Sequence, residues 1–239
     1  MRKGVVALYM SASGTVKSFM KSRFPRAVSA YRDARQAWRG ASLATVFSKI
    51  YQTNAWQDPE SVSGRGSSLA RTTLIRSHLP VLLQELNANS IIDAACGDFN
   101  WMRYVDLGSI KYIGVDVVPD LIVRNRQLYQ TEQRTFAVQD ITKDPVPDAD
   151  VILCRDCLIH LSCKSIGAAI SNFKKTRATH LLCTTHTTVT ENIDCPDGSW
   201  RNINLLLPPF NFPDPVAVFV EDAELGKCLG VWRLADLDF

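Results

Sequence analysis

The stretch Ser90-Ile91-Ile92-Asp93-Ala94-Ala95-Cys96-Gly97-Asp98-Phe99-Asn100-Trp101 decides how this chain is read. Two β-branched apolar residues lead into an acid, two small residues, a cysteine and a glycine. That order predicts a buried strand ending in a tight turn, where backbone passes close to a ligand. A turn of this kind also serves purely structural ends, so the neighbouring spacing has to decide between the two.

A second strand, Lys111-Tyr112-Ile113-Gly114-Val115-Asp116, ends in an acid 19 positions after Gly97. A carboxylate placed about 20 residues beyond a glycine turn suits a pair of ribose hydroxyls. A third run, from Thr135 to Ile141, carries Asp140 at its end. Three carboxylates at strand ends, with no Lys or Arg at the glycine turn, fit a cationic nucleoside better than a pyrophosphate. The G-x-G-x-x-G of nicotinamide dehydrogenases is missing.

The chain has 239 residues, 46% of them hydrophobic, enough for one substantial α/β core. The net charge of +3 conceals an asymmetry: residues 1–40 hold nine Lys/Arg and one acid, Asp33. This basic arm suits a solvated helix, an organelle-import segment, or contact with a membrane surface or nucleic acid. No apolar run reaches the length of a membrane span. An odd count of seven cysteines with no export signal points to reduced thiols and a cytoplasmic setting, with organelle import as the alternative. Cys154-x-x-Cys157 has no second pair at ligand spacing, so no metal is expected.

Residues 41–89 read as a helical cap before the first strand. Apolar positions at Leu43, Val46, Phe47 and Ile50 share one helix face, and a second helix is expected from about Ser68 to Leu86, with Pro80 inside it. Gly64 and Gly66 at that helix start suit either an anion nest or an ordinary N-cap by Ser67. A cap in this place makes Trp56 and Arg65 candidate substrate-binding lid residues. Residues 41–239 then form the single domain behind the arm.

Strand and helix patterns continue through Asp150–Arg155, Ser165–Lys174 and His180–His186. Right-handed crossovers would bring the strand ends to one rim of a parallel sheet with helices on both faces. The runs Ala217–Glu221 and Lys227–Trp232 read as a terminal hairpin.

Residues 90–190 resemble the ordered motifs of class I S-adenosylmethionine (SAM)-dependent methyltransferases. The resemblance rests on Asp93 and Gly97 of a D-x-G-x-G-x-G motif, on Asp116 and Asp140, and on Arg155-Asp156-Cys157-Leu158-Ile159-His160-Leu161. Ala95 and Phe99 occupy the motif's other two glycine positions. The resemblance implies a Rossmann-like α/β methyltransferase fold: a mostly parallel seven-stranded sheet in the order 3-2-1-4-5-7-6, with a C-terminal antiparallel hairpin and a helical N-terminal extension. It implies SAM as cofactor, with Asp93 and Gly97 lining the methionine end, Asp116 at the ribose hydroxyls, Asp140 with Ile141 at the adenine, and Ala95, Cys96 and Val117 as further cofactor-binding residues.

Methyl transfer from a sulfonium needs a base only for a poor nucleophile such as a hydroxyl. His186, His160 and Asp156 lie just past strand ends and are the candidates, His186 ahead of His160, whose apolar surroundings also suit a packing role. Arg201 is a candidate partner for an anionic acceptor group. The expected acceptor is a small molecule or a glycan-like hydroxyl. An RNA or protein acceptor docked by the arm, and a catalytically silent binding module, are the alternatives.

Overall fold

The computed structural model describes residues 40–238, so the basic arm lies outside the described residues apart from Gly40. Strands β1 (Ser90–Ala94), β2 (Lys111–Asp116), β3 (Arg134–Val138), β4 (Val151–Cys154) and β5 (His180–His186) are parallel. Strands β6 (Ala217–Asp222) and β7 (Lys227–Arg233) complete the sheet as an antiparallel hairpin, β7 pairing with β5. The order among the described residues is β3-β2-β1-β4-β5-β7-β6, as the family resemblance implies.

Because side chains alternate along a strand, consecutive residues of β1 and β4 feed different cores. Ile91, Val151 and Leu153 join the cluster beneath helix α2 (Thr73–Glu85), with Ile75, Leu79 and Leu83. Ile92, Ile152 and Cys154 join the opposite cluster, beneath helix α4 (Cys163–Phe173), with Ile166, Ala169, Ile170 and Phe173. Helix α3 (Pro119–Tyr129) packs on β2 and β3, and α1 (Leu43–Gln52) lies against it. Ser42 caps α1 by accepting from the Thr45 amide, and Ser162 caps α4 by accepting from the Ser165 amide. Pro119 opens α3, where its fixed φ suits the first turn.

Two sequence expectations shift in detail. Helix α2 begins at Thr73, because Arg65–Ser67 forms a separate 3-10 turn; it then runs unbroken through Pro80. Strand β3 ends at Val138, so Asp140 and Ile141 sit in the turn beyond it, where Asp140 accepts from the Thr142 amide.

Trp232 of β7 is fully buried; its indole N–H donates to the Pro213 carbonyl at 2.8 Å and its ring meets Phe212 edge-on. Through these contacts it fixes the stiff 208–215 segment to the sheet. Trp232→Ala is expected to cost about 3 to 5 kcal/mol, from lost burial and the cavity left behind. Urea unfolding checks this, and a loss below about 1 kcal/mol would contradict the packing described.

Candidate active site

The turn after β1 is built by hydrogen bonds from both flanks. Gly97 adopts φ +55°, and its amide donates to Asp116 Oδ2 at 3.1 Å. Asp116 Oδ1 accepts from the Val118 amide at 3.0 Å, so the end of β2 holds the glycine turn directly. Phe99 stands at a glycine position of the motif and takes φ +57°. Its buried ring fills a cluster with Tyr112, Tyr129 and Phe136, which compensates for the left-handed backbone.

Asp98 ties this turn to the cap. Its carboxylate accepts from the Ser61 hydroxyl at 2.9 and 3.0 Å and from the Val62 amide at 3.0 Å. Its own amide donates to Ser63 Oγ. Two residues on, Asn100 Nδ2 donates to Glu60 Oε1 and to the Ser67 carbonyl. A Cβ at Gly97 would run into Ser63, so the close approach that demands glycine is made by the cap itself.

One cleft of about 120 Å³ runs along this rim. All eight expected cofactor residues line it: Asp93, Ala95, Cys96, Gly97, Asp116, Val117, Asp140 and Ile141. Its cap side is Leu43, Phe47, Ile50 and Tyr51 of α1, with Trp56, and its β4 side is Arg155, Asp156, Cys157 and His160. Asp93 is 3% exposed and accepts from the Tyr112 hydroxyl at 2.8 Å; burial pushes its carboxyl up to about 7. Burial likewise raises Asp116 to about 6. Both groups are therefore held in the fold against their charge, and a cation or hydroxyl donors in the cleft would relieve them.

Past β4 the balance reverses. Arg155 Nε meets Glu221 Oε1 at 2.7 Å, while its Nη1 meets Asp156 at 3.3 Å and donates to the Gly66 carbonyl at 3.0 Å. Lys227 contacts Asp156 at 2.6 Å and Glu221 at 3.3 Å. Although burial opposes ionisation of Asp156, the charges of Arg155 and Lys227 hold its carboxyl well below the usual range. A carboxylate so stabilised is a weak proton acceptor, and Asp156 is the anion of this cluster rather than a base.

The two histidines exchange the places expected of them. His186 is 3% exposed and does not line the cleft, because the polar connection after β5 folds over it and its amide donates to the Ile203 carbonyl at 2.7 Å. His160 lines the cleft on a 3-10 turn, with its ring 4.8 Å from that of Trp56. Arg201 is buried away from the cleft, bonding the Leu158 and Ile159 carbonyls beneath that turn. Arg65 is exposed and outside the cleft. No anion nest forms at Gly64 and Gly66, since α2 starts later and the Gly66 carbonyl faces the Arg155 cation. Arg155 itself, Gln139, Trp101 and the apolar face of α1 are cleft residues that sequence reasoning missed. The 3.6-residue period of α1 was visible, but not what it covers.

Residues 91–179 match the family described as methyltransferase domain. No curated protein sequence matches the chain. Human N-acetylserotonin methyltransferase in complex with SAM is similar in structure with a TM-score of 0.55 at 15% identity, over 81% of this chain and 60% of that one. TnmH is similar with a TM-score of 0.54 at 14% identity, over 69% of this chain and 55% of that one. The chain thus spans less than two thirds of the length of either, and likeness at this identity carries the fold alone. The strand order is that of the class I methyltransferase fold, and residues 91–179 match a methyltransferase-domain family.

Asp98→Ala leaves the Ser61 hydroxyl and Val62 amide without their acceptor, at about 1 to 3 kcal/mol for each buried donor left unsatisfied. Hydrogen exchange in residues 60–69 is expected to accelerate well before global unfolding. Unchanged protection there would show that the cap is held by other contacts.

Proposed function

We propose that this protein is a SAM-dependent methyltransferase acting on a hydroxyl of a small-molecule acceptor, with residues 41–89 serving as the cap of a single domain. The observation that carries this reading is the buried Asp116 carboxylate joined to the Gly97 amide in a cleft rich in carboxylates. Asp116 keeps acceptor capacity beyond its bonds to backbone amides, which fits the hydroxyls of a ribose. Asp140 and Ile141 suit the adenine end. Asp93 suits the positive methionine end, and Arg155 Nη2, buried with no hydrogen-bond partner among the described residues, fits its carboxylate. When bound, SAM supplies a methyl group on a sulfonium sulfur. The protein's part is to orient that group, keep water out beneath α1, and neutralise its charge.

The apolar cap favours a small acceptor over a glycan. The alternative of an RNA or protein acceptor docked by the basic arm rests on residues outside those described. Among the described residues no helix is long and apolar enough to cross a membrane. Metal is not part of the proposal: the described residues hold no group of three or more His, Cys, Asp or Glu side chains arranged to bind an ion.

Asp116→Ala is expected to weaken SAM by about 1.5 to 3 kcal/mol, or roughly one to two decades in affinity. Calorimetric titration of both proteins measures it; equal affinities would remove the assignment of the ribose site. The pH dependence has a fixed sign. Asp116 and Asp93 are raised to about 6 and about 7, so stability falls as pH rises from the ordinary carboxylate range up to those values and levels off above them, and a ligand that prefers the anions recovers the loss. SAM affinity should therefore climb from pH 5 to 7.5, by up to about tenfold per unit for each required anion below its pKa. A flat profile would show that neither carboxylate faces the cofactor.

A further inference from the structure

The strands at the rim run β3, β2, β1, β4 from one end of the cleft to the other. The cofactor assignments above use the β3, β2 and β1 ends together with Arg155 and leave Asp156, Cys157 and His160 outside them, so the acceptor is placed beside these three residues. Two aromatic rings stand there at 4.8 Å and 31° to each other, those of Trp56 and His160. Phe47, Tyr51 and Leu161 line the same cleft. The nearby cations are already assigned: Arg155 to Asp156 and Glu221 through Nη1 and Nε, with its Nη2 kept for the cofactor's carboxylate, Lys227 to Asp156 and Glu221, and Arg201 to the Leu158 and Ile159 carbonyls. Nothing at this end suits an anionic acceptor, and the flat apolar walls suit a ring.

His160 is fixed in one tautomer. Its Nδ1 lies 2.8 Å from the Ser199 carbonyl, which only accepts, so Nδ1 carries the proton and Nε2 keeps the lone pair. The carbonyl is held in place by a ladder: the Gly198 amide donates to the His160 carbonyl at 2.8 Å, and the Arg201 amide donates to that of Ile159 at 3.1 Å. Gly198 has φ +80° and packs so closely under α1 that a Cβ would strike Val46. Nε2 has no hydrogen-bond partner among the described residues. Burial keeps the ring neutral by lowering its pKa.

We infer that the β4 end of the cleft, on the strength of the methyltransferase reading above, binds a planar phenol-class acceptor against Trp56, with His160 Nε2 as its general base and Ser199 as the residue that sets the tautomer. The acceptor O–H proton passes to Nε2 while its electron pair stays on oxygen. That oxygen then forms the bond to the methyl carbon, the former C–S pair stays on sulfur as a thioether, and the proton leaves His160 for solvent.

The test begins with titration of SAM, whose failure to bind would overturn the parent reading and this one together. With the demethylated product bound, 4-methylphenol is expected to bind at least about tenfold more tightly than 4-methylcyclohexanol, and Trp56→Ala to abolish that preference. Equal affinities in the wild type would overturn the planar site. His160→Ala should slow methylation of 4-methylphenol by about 100-fold or more, and that of 4-nitrophenol, already ionised at pH 8, by less than about tenfold. An equal loss on both phenols, or no turnover of either by the wild type, would overturn the base. Histidine ¹⁵N NMR gives a readout independent of activity: Nδ1–H is expected for His160, and Nε2–H would overturn the tautomer.

Discussion

A single carboxylate, Asp98, joins the two halves of the cleft. It accepts from Ser61 and Val62 of the cap, while its own amide donates to Ser63. These bonds place the cap against the Gly97 turn, and Asn100 extends the seam to Glu60 and Ser67. Buried donors cannot be left unsatisfied cheaply, so the seam makes the cap loop and the cofactor turn one mechanical unit. Gly97 follows from it, since Ser63 occupies the space any side chain would need.

Along the rim, electrostatic character changes from one strand end to the next. At β1 and β2 the carboxylates of Asp93 and Asp116 are desolvated, and for Asp93 burial outweighs the Tyr112 hydrogen bond and the charge of Arg155, so their charge is costly until a ligand arrives. Past β4, Asp156 is more than compensated by Arg155 and Lys227, and its anion is stabilised instead; that contribution is present above the ordinary carboxylate pKa and fades as the pH falls below it. Four largely shielded charges, two just past β4 and one each on β6 and β7, thereby neutralise one another and leave the acceptor end close to neutral. Such a division suits a positively charged donor at one end and an uncharged acceptor at the other.

The sheet was legible because its strands are apolar runs punctuated by Asp and Gly, and the 19-residue interval from Gly97 to Asp116 is a local signature of one strand–helix–strand step. Each expected cofactor position lies within a few residues of such a strand end, and each lines the cleft. The acceptor side depended on contacts that no interval encodes. His186 looked accessible because it ends a strand, but the connection covering it returns only at Ile203. Arg201 looked like a free cation, and its partners are backbone carbonyls 42 and 43 residues earlier. Asp156 looked like a base until Lys227, 71 residues later, was seen beside it. The same limit explains Gly66, whose neighbour Asp156 is distant in sequence.

The inserted position of β7 bears on how the chain is made. A strand that pairs with β5 on one side and β6 on the other cannot be emulated by anything translated before it. Residues 41–215 leave the ribosome with Arg155 and Asp156 already present, but Glu221 and Lys227 have yet to be synthesised. Until they arrive, β5 has a bare edge, and the buried arginine lacks the bond from Glu221. Vectorial synthesis therefore leaves the nascent domain with an open sheet edge and an incomplete charge cluster, an interval during which an edge-binding chaperone could recognise it.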